Sequence, residues 1–356
     1  MNSCAFVESM IVSPSDFIVQ NDQAWFIHAS LNALFSLDIN TGILTYHGRE
    51  NYKLQGEEPP LYAKLIPHLE SIYLIPWNSK KITIYNKKER LFKDIDNCSY
   101  DDCLPFKTAF KIDNKIICIP FFLRNKVAVI DLTNNEIECN LSIAKDVPIH
   151  SKYIRDLAMT DNGVLVCCLG ESSDMLCYDI NQRESVVVNL NNSARELVSC
   201  TCLNSNVYVL EEGGTITVMD SESLKIVDRF EIDVRVAKIH GYGSKSLLID
   251  PYDNRNIQIY DICEHKKESL NGVFSRKKFP YIWNRAIGCL AQDENKNAFY
   301  CDGISNSVVN LQTGTRVNMQ LSDESAYEIR DAVGQICIYA DESELYGLED
   351  FLNHVF

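Results

Sequence analysis

Basic residues recur along this chain at places that suggest one shared role. Lys64, Lys107, Arg155, Arg195, Arg235 and Arg285 each open an apolar run, and Arg330 repeats the pattern near the C-terminus. A guanidinium presents a planar fork of N–H donors that matches a carboxylate or phosphate, so cations converging from several repeats would form an anion site. With 34 Lys and Arg against 49 Asp and Glu, and a formal net charge of -15, such a series stands out from its background. Acids lie beside the cations, Asp156 after Arg155, Glu196 after Arg195 and Asp331 after Arg330, and internal pairing with them is the structural alternative. Trp77, in PWNSK, and Trp283, in YIWNR, supply aromatic faces with polar edges, suited to sugar rings or peptide side chains. Phe121 and Phe122 read instead as plugs between repeats.

Other chemistries find less support. The seven histidines are scattered without metal-ligand spacing, and CSYDDC, from Cys98 to Cys103, has no second cysteine pair to complete a zinc site. Neither a nucleophile elbow, a phosphate-binding loop nor a dinucleotide fingerprint is present, and no cofactor signature is found. Carboxylates such as Asp156, Glu196, Asp250 and Asp302 would serve acid–base catalysis if their environments split their pKa values. Fourteen cysteines fall below the density of a disulfide scaffold. Cys118, Cys139, Cys177, Cys200, Cys202, Cys289 and Cys337 sit in apolar patterns as small hydrophobes. The adjacent Cys167 and Cys168 should point to opposite faces of a strand.

The elements that position these residues follow from a repeat. The polar residues Asp38, Asn86, Asp131, Asp179, Asp220, Asp261 and Asn310 each end an apolar run, at intervals of 48, 45, 48, 41, 41 and 49 residues. In LFSLDINTG, Leu34 to Gly42, the run is a β-strand and the Asp starts a tight turn by accepting hydrogen bonds from the backbone two residues on. A more polar strand follows each turn and an apolar hairpin precedes each run, which makes four strands per unit. A period of about 45 residues with four short strands is that of a β-propeller blade.

The sequence therefore predicts an all-β fold, a single β-propeller of four-stranded antiparallel blades, with seven blades favoured and eight the alternative. The units span about 15–60, 61–104, 105–150, 151–192, 193–233, 234–282 and 283–322, leaving 323–356 for closing strands and a short C-terminal helix. CAFVES (Cys4 to Ser9) and the hairpin-like stretch from Glu328 to Ser343 are the pieces from which an eighth blade would be built. Leu345, Leu348, Leu352 and Val355 have helical spacing, and that helix either packs on the propeller or forms a dimer contact.

Over most of its length the chain resembles the bacterial propeller superfamily and is similar to YVTN, quinoprotein-like and WD40-like repeats, through turns of the LFSLDINTG kind. The Trp-Asp pair of WD40 repeats is replaced here by Leu37, Ile130, Tyr178, Met219 and Tyr260 before the Asp. The resemblance implies that the first strand of each unit lines a central channel and that the basic openings gather at one mouth. The expected function is a non-enzymatic binding or scaffold role toward a peptide, protein or anionic glycan. The alternative is a hydrolase or lyase acting on a glycan or small polar substrate at the same face. Net acidity disfavours nucleic acid and anionic membrane as partners. The N-terminus lacks a basic and apolar leader and no apolar run reaches membrane-span length, so a cytoplasmic location is expected.

Overall fold

The computed structural model describes residues 14–28, 32–48, 62–77, 79–95, 103–144, 151–190, 195–233, 236–251, 257–269, 288–293, 295, 297–302 and 307–329. Its fold is all-β, with seven blades of four antiparallel strands in sequence order. Blade 1 comprises β1 (Pro14–Gln20), β2 (Gln23–His28), β3 (Ala33–Asp38) and β4 (Ile43–Gly48), and blade 2 comprises β5 (Tyr62–His68), β6 (Ser71–Pro76), β7 (Thr83–Asn86) and β8 (Leu91–Asp94). Blade 3 holds β9 (Phe106–Ile112), β10 (Lys115–Pro120), β11 (Val127–Asp131) and β12 (Ile137–Leu141). Blade 4 holds β13 (Ile154–Met159), β14 (Val164–Leu169), β15 (Asp174–Asp179) and β16 (Glu184–Asn189). Blade 5 holds β17 (Leu197–Leu203), β18 (Asn206–Glu211), β19 (Thr215–Asp220) and β20 (Ile226–Glu231). Blade 6 holds β21 (Val236–Tyr242), β22 (Ser246–Pro251), β23 (Gln258–Asp261) and β24 (Lys266–Ser269). Blade 7 holds β25 (Gly288–Gln292), β26 (Ala298–Asp302), β27 (Ser307–Asn310) and β28 (Arg316–Asn318), and a two-residue strand, β29 (Gln320–Leu321), comes after it.

Blade faces pack on one another, so a second strand is covered on both sides and reads as an unbroken apolar run. QAWFIH, SIYLIP, KIICIP, VLVCCL and NVYVLE are each buried from their second residue onward. Cys167 packs in the core shared by blades 3 and 4 and Cys168 in that shared by blades 4 and 5, as strand alternation requires. The outer strands are wetter: β20 is exposed at every position but Phe230.

The turn chemistry holds in all seven blades. Asp38 Oδ1 accepts from the backbone N–H of Asn40 (2.9 Å) and Thr41 (2.8 Å). The same oxygen of Asn86, Asp131, Asp179, Asp220, Asp261 and Asn310 accepts from N–H groups two or three residues on. Four residues after each of these, the backbone turns left-handed, at Gly42, Arg90, Asn135, Arg183, Leu224, His265 and Gly314. Only two of the seven are glycines, so the Asx bonds hold a conformation that a side chain otherwise disfavours.

The chain packs as two compact units. One comprises Met1–Leu74, Thr83–Lys93 and Asn284–Phe356, the other Ile75–Ile82 and Asp94–Trp283. In the first, β1 lies between β25 and β5, and β29 adds to blade 1 as a fifth strand, parallel to β4 with Gln320 opposite Ile43. A short helix, α1, covers 323–329. Ser322 caps it through the Ser325 N–H, and Ser325 Oγ accepts from Tyr46 N of β4 at 2.8 Å. The hairpin expected from Glu328 thus begins as helix at Glu328 and Ile329. Its remainder, CAFVES and the stretch from Leu345 to Val355 lie outside the described residues. In the second unit, β17 lies between β13 and β21. Among the described residues no helix is long and apolar enough to cross a membrane.

Candidate functional site

The first strands carry a bulge that sets which side chains meet. In blade 1 the pairing of β1 with β2 skips Ser15. Lys107, Arg155, Val198 and Ala237 are skipped likewise in blades 3 to 6. An extra residue in one strand re-aims the side chains beyond it. The residue just after the bulge is Asp16, Thr108, Asp156, Ser199 or Lys238, and three of these fasten their blade to the next. Asp16 Oδ2 accepts from Leu65 N (2.7 Å), Asp156 Oδ2 from Cys200 N (3.4 Å) and Ser199 Oγ from Ile239 N (3.3 Å). Lys64, just before Leu65, is therefore the counterpart of Ser199 and Lys238.

This register separates the basic openings. Lys107 and Arg155 stand at the bulge, Lys64 one step later, and Arg195 two residues before β17. Counting from the start of an apolar run does not resolve such shifts, because the bulge adds a residue that the hydrophobic pattern does not mark. Arg235, Arg285 and Trp283 lie outside the described residues. Lys64 pairs with Asp16 at 2.8 Å in the first unit. Arg195 Nη1 donates to Thr215 Oγ1 at 3.1 Å. Arg155 Nη1 pairs with Glu196 Oε2 at 2.7 Å across blades 4 and 5, both side chains partly exposed.

Asp156 is the centre of the second unit's polar cluster. Its side chain is only 14% exposed, yet cations reach it from two sides. Ser199 Oγ donates to Oδ2 at 2.6 Å, and Lys238 Nζ stands 3.8 Å from Oδ1. Burial pushes the Asp156 carboxyl up, but the charges of Lys238 and Lys107, the Ser199 hydroxyl and His240 outweigh it and hold it below the ordinary carboxylate range. Asp156 is thus an ionised acceptor.

Lys107 also belongs to an aromatic cluster. Its Nζ lies 5.9 Å from the Phe121 ring centroid, and Arg124 lies 5.6 Å from that of Phe122. Phe121 stacks on Tyr153 (5.3 Å, 18°) and meets Trp77 edge-on (5.0 Å, 68°). All four aromatic side chains are half-buried. The backbone fixes them: Phe121 N donates to Pro105 O at 2.7 Å and Ile154 N to Phe121 O at 2.8 Å, while Phe122 bridges Tyr153. The Tyr153 ring lies on Gly170, where a Cβ would come within 2.1 Å of it. Phe121, expected as an inter-blade plug, is the hub of this cluster, and Trp77 is its partner.

Lys238, His240 and Ser199 were not among the expected site residues. Ser199 and Lys238 share one place, just past the bulge, which the hydrophobic pattern does not mark, and His240 lies two residues beyond it. The described cysteines are free thiols; burial pushes Cys167 up and Cys177 to about 12, and the hydrogen bond with Cys168, then burial, pushes Cys200 up, which favours the protonated thiol over the thiolate nucleophile. Among the described residues no group of three or more His, Cys, Asp or Glu is placed to hold a metal ion.

The blades and their joining bulges define a seven-bladed β-propeller. No family model matches the chain, and no curated protein sequence aligns with it. Solved structures do match. Virginiamycin B lyase from Staphylococcus aureus superposes with a TM-score of 0.60 at 14% identity, over 83% of this chain and 93% of that one. PorZ, a surface component of the type-IX secretion system of Porphyromonas gingivalis, matches with a TM-score of 0.55 at 14% identity, over 88% of this chain and 39% of that one. Hsv2 from Kluyvelomyces marxianus matches at 0.52 and 10% identity, over 85% of this chain and 96% of that one. At these identities the likeness is one of fold.

Proposed function

We propose that this protein is a non-enzymatic binding module, whose second unit takes a ligand with an apolar or flat face and an anionic group. The observation that carries this reading is the double role of Lys107, which stands over the Phe121 ring and also acts electrostatically on Asp156. It joins an aromatic wall to a centre where two lysines attend one carboxylate. In such an arrangement the acid, held ionised by its neighbours, serves as an acceptor for a ligand's donors and not as a proton donor. Arg155 and Glu196 border the centre as a neutral pair, and Arg195 flanks it.

Fluorescence titration tests the reading directly. Acidic oligosaccharides and acidic peptides added to the intact protein should perturb tryptophan emission, and the Trp77→Phe variant should lose most of that change. Lys107→Ala should weaken binding about tenfold or more, as removal of a charge-assisted contact does. Unaltered binding in both variants, with their thermal unfolding unchanged, would overturn the assignment of the site.

A further inference from the structure

The segments around the aromatic cluster of blades 3 and 4 are basic. Those that carry Phe121, Phe122 and Tyr153 or brace them, 103–107, 121–126 and 151–155, hold Lys107, Arg124, Lys126, Lys152 and Arg155 and no Asp or Glu, in a chain of formal charge -15. Lys107, Lys126 and Arg155 are engaged within the fold, Arg155 by Glu196, while Lys107 acts on Asp156. Arg124 and Lys152 are exposed, and among the described residues neither is paired with a carboxylate. Arg124 holds its guanidinium 5.6 Å from the Phe122 ring centroid, and the Lys152 backbone is fixed beside it, its O accepting from Leu123 N at 3.1 Å. A guanidinium over a ring keeps its N–H edge for a carboxylate.

The rings favour a side chain over a sugar. A sugar lies on a bare aromatic face, whereas Phe121 has Tyr153 and Lys107 against it and Phe122 has Arg124 over it. Phe122 and Trp77 stand at 77° and 68° to Phe121, so the half-buried cluster presents ring edges at steep angles. Such edges receive an aromatic or branched side chain, and aromatic and Arg anchors side by side are what the centre of a protein interface uses. Resting on the binding reading above, we infer that this cluster docks an acidic peptide segment of a partner protein, one with an aromatic or aliphatic side chain between carboxylates. The apolar side chain packs on the rings, and the flanking carboxylates take donors from Arg124 and Lys152.

Calorimetric titration of the full chain with four probes tests this: a capped glutamate-rich hexapeptide containing phenylalanine and leucine, its analogue with alanine at the apolar positions, its analogue with lysine for glutamate, and trigalacturonic acid. The first should bind at least about tenfold more tightly than any other. Arg124→Ala should weaken it about tenfold, and Arg124→Lys should recover part of the loss. Both variants should unfold thermally like the wild type, since Arg124 is exposed. Trigalacturonate binding as tightly as the first peptide would overturn the peptide assignment and leave the anion reading standing. The alanine or lysine peptide binding as tightly, or unaltered binding by Arg124→Ala, would overturn this docking surface, and loss of binding in Lys107→Ala alone would still uphold the earlier site. No binding of any probe, with a folded protein by circular dichroism, would overturn both.

Discussion

Asp16 and Asp156 stand at the same point of two blades, just after the first-strand bulge, and each holds the backbone of the next blade. One is spent within the fold. Asp16 has a lysine from the adjacent blade on it at 2.8 Å, and a partly buried histidine on the outer strand of the same blade is likewise consumed. His47 is bonded at Nε2 to Ser36 Oγ (2.7 Å) and at Nδ1 to Tyr85 OH (2.8 Å), and is stacked on Trp25. Asp156 has a serine in the lysine's place and draws its cations from farther away, Lys238 from two blades on and Lys107 from the blade before. A repeat thus keeps its joint while the residue completing it decides how closely a cation approaches the carboxylate.

The contrast predicts different responses to acid, and here the largest effect is expected. Burial, with the Arg90 charge second, lowers the His47 pKa to about 4 from its ordinary 6.5. The folded protein then resists a proton that the unfolded chain accepts. The stability due to neutral His47 is fully present above about pH 6.5 and is lost as pH falls toward 4, by at most on the order of 3 kcal/mol. Asp156, held below the carboxylate range, has the lower window. Its contribution persists down to about pH 4 and is lost only beneath it. Urea unfolding of the wild type between pH 7.5 and 4.5 should show the decline, and His47→Gln should flatten it. An equal slope in the variant would remove His47 as the cause.

Truncating the two aspartates gives the next largest effect. Asp16→Ala removes a close ion pair and a 2.7 Å bond to a buried N–H, a loss of about 2 kcal/mol. For Asp156→Ala the Ser199 hydroxyl loses its 2.6 Å acceptor, but the N–H bond is 3.4 Å and the cation stands off, so a smaller loss, about 1–1.5 kcal/mol, is expected. Equal losses in thermal unfolding would break the distinction between a closed and an open joint. The smallest effect concerns the turns that both units share. Arg183 is exposed and left-handed at φ 59°, and Arg183→Gly should relieve strain for a net gain of no more than about 1 kcal/mol, offset in part by the freedom glycine adds to the unfolded chain.

Much of this was legible in the sequence. The seven turn residues favoured seven blades over eight because each one makes the hydrogen bonds its type allows, and no tertiary contact is needed to place it. Second strands were plain as apolar runs. The left-handed positions were legible at Gly42 and Gly314 but not at Arg90 or Leu224, where the preceding Asx bonds stand in for glycine's freedom. Of the residues gathered around Asp156, the repeat singles out Lys107, Arg155, Asp156 and Glu196 as candidates, whereas it passes over Lys238. A bulge shifts side-chain direction without altering the hydrophobic pattern, so the cation reaching Asp156 sits at a place that the pattern gave no reason to inspect. Pairing across blades is equally silent in sequence, since Arg155 meets Glu196 from the next blade and not the Asp156 beside it.

The most direct test of the contrast between the two joints is a crystal structure of the full chain refined around Asp16 and Asp156. The predicted result is Lys64 on Asp16 Oδ1 near 2.8 Å, and Lys238 standing off Asp156 Oδ1 at 3.8 Å with the Ser199 hydroxyl on Oδ2. Lys238 drawn onto Asp156 in a direct pair near 2.8 Å, as Lys64 is on Asp16, would contradict it.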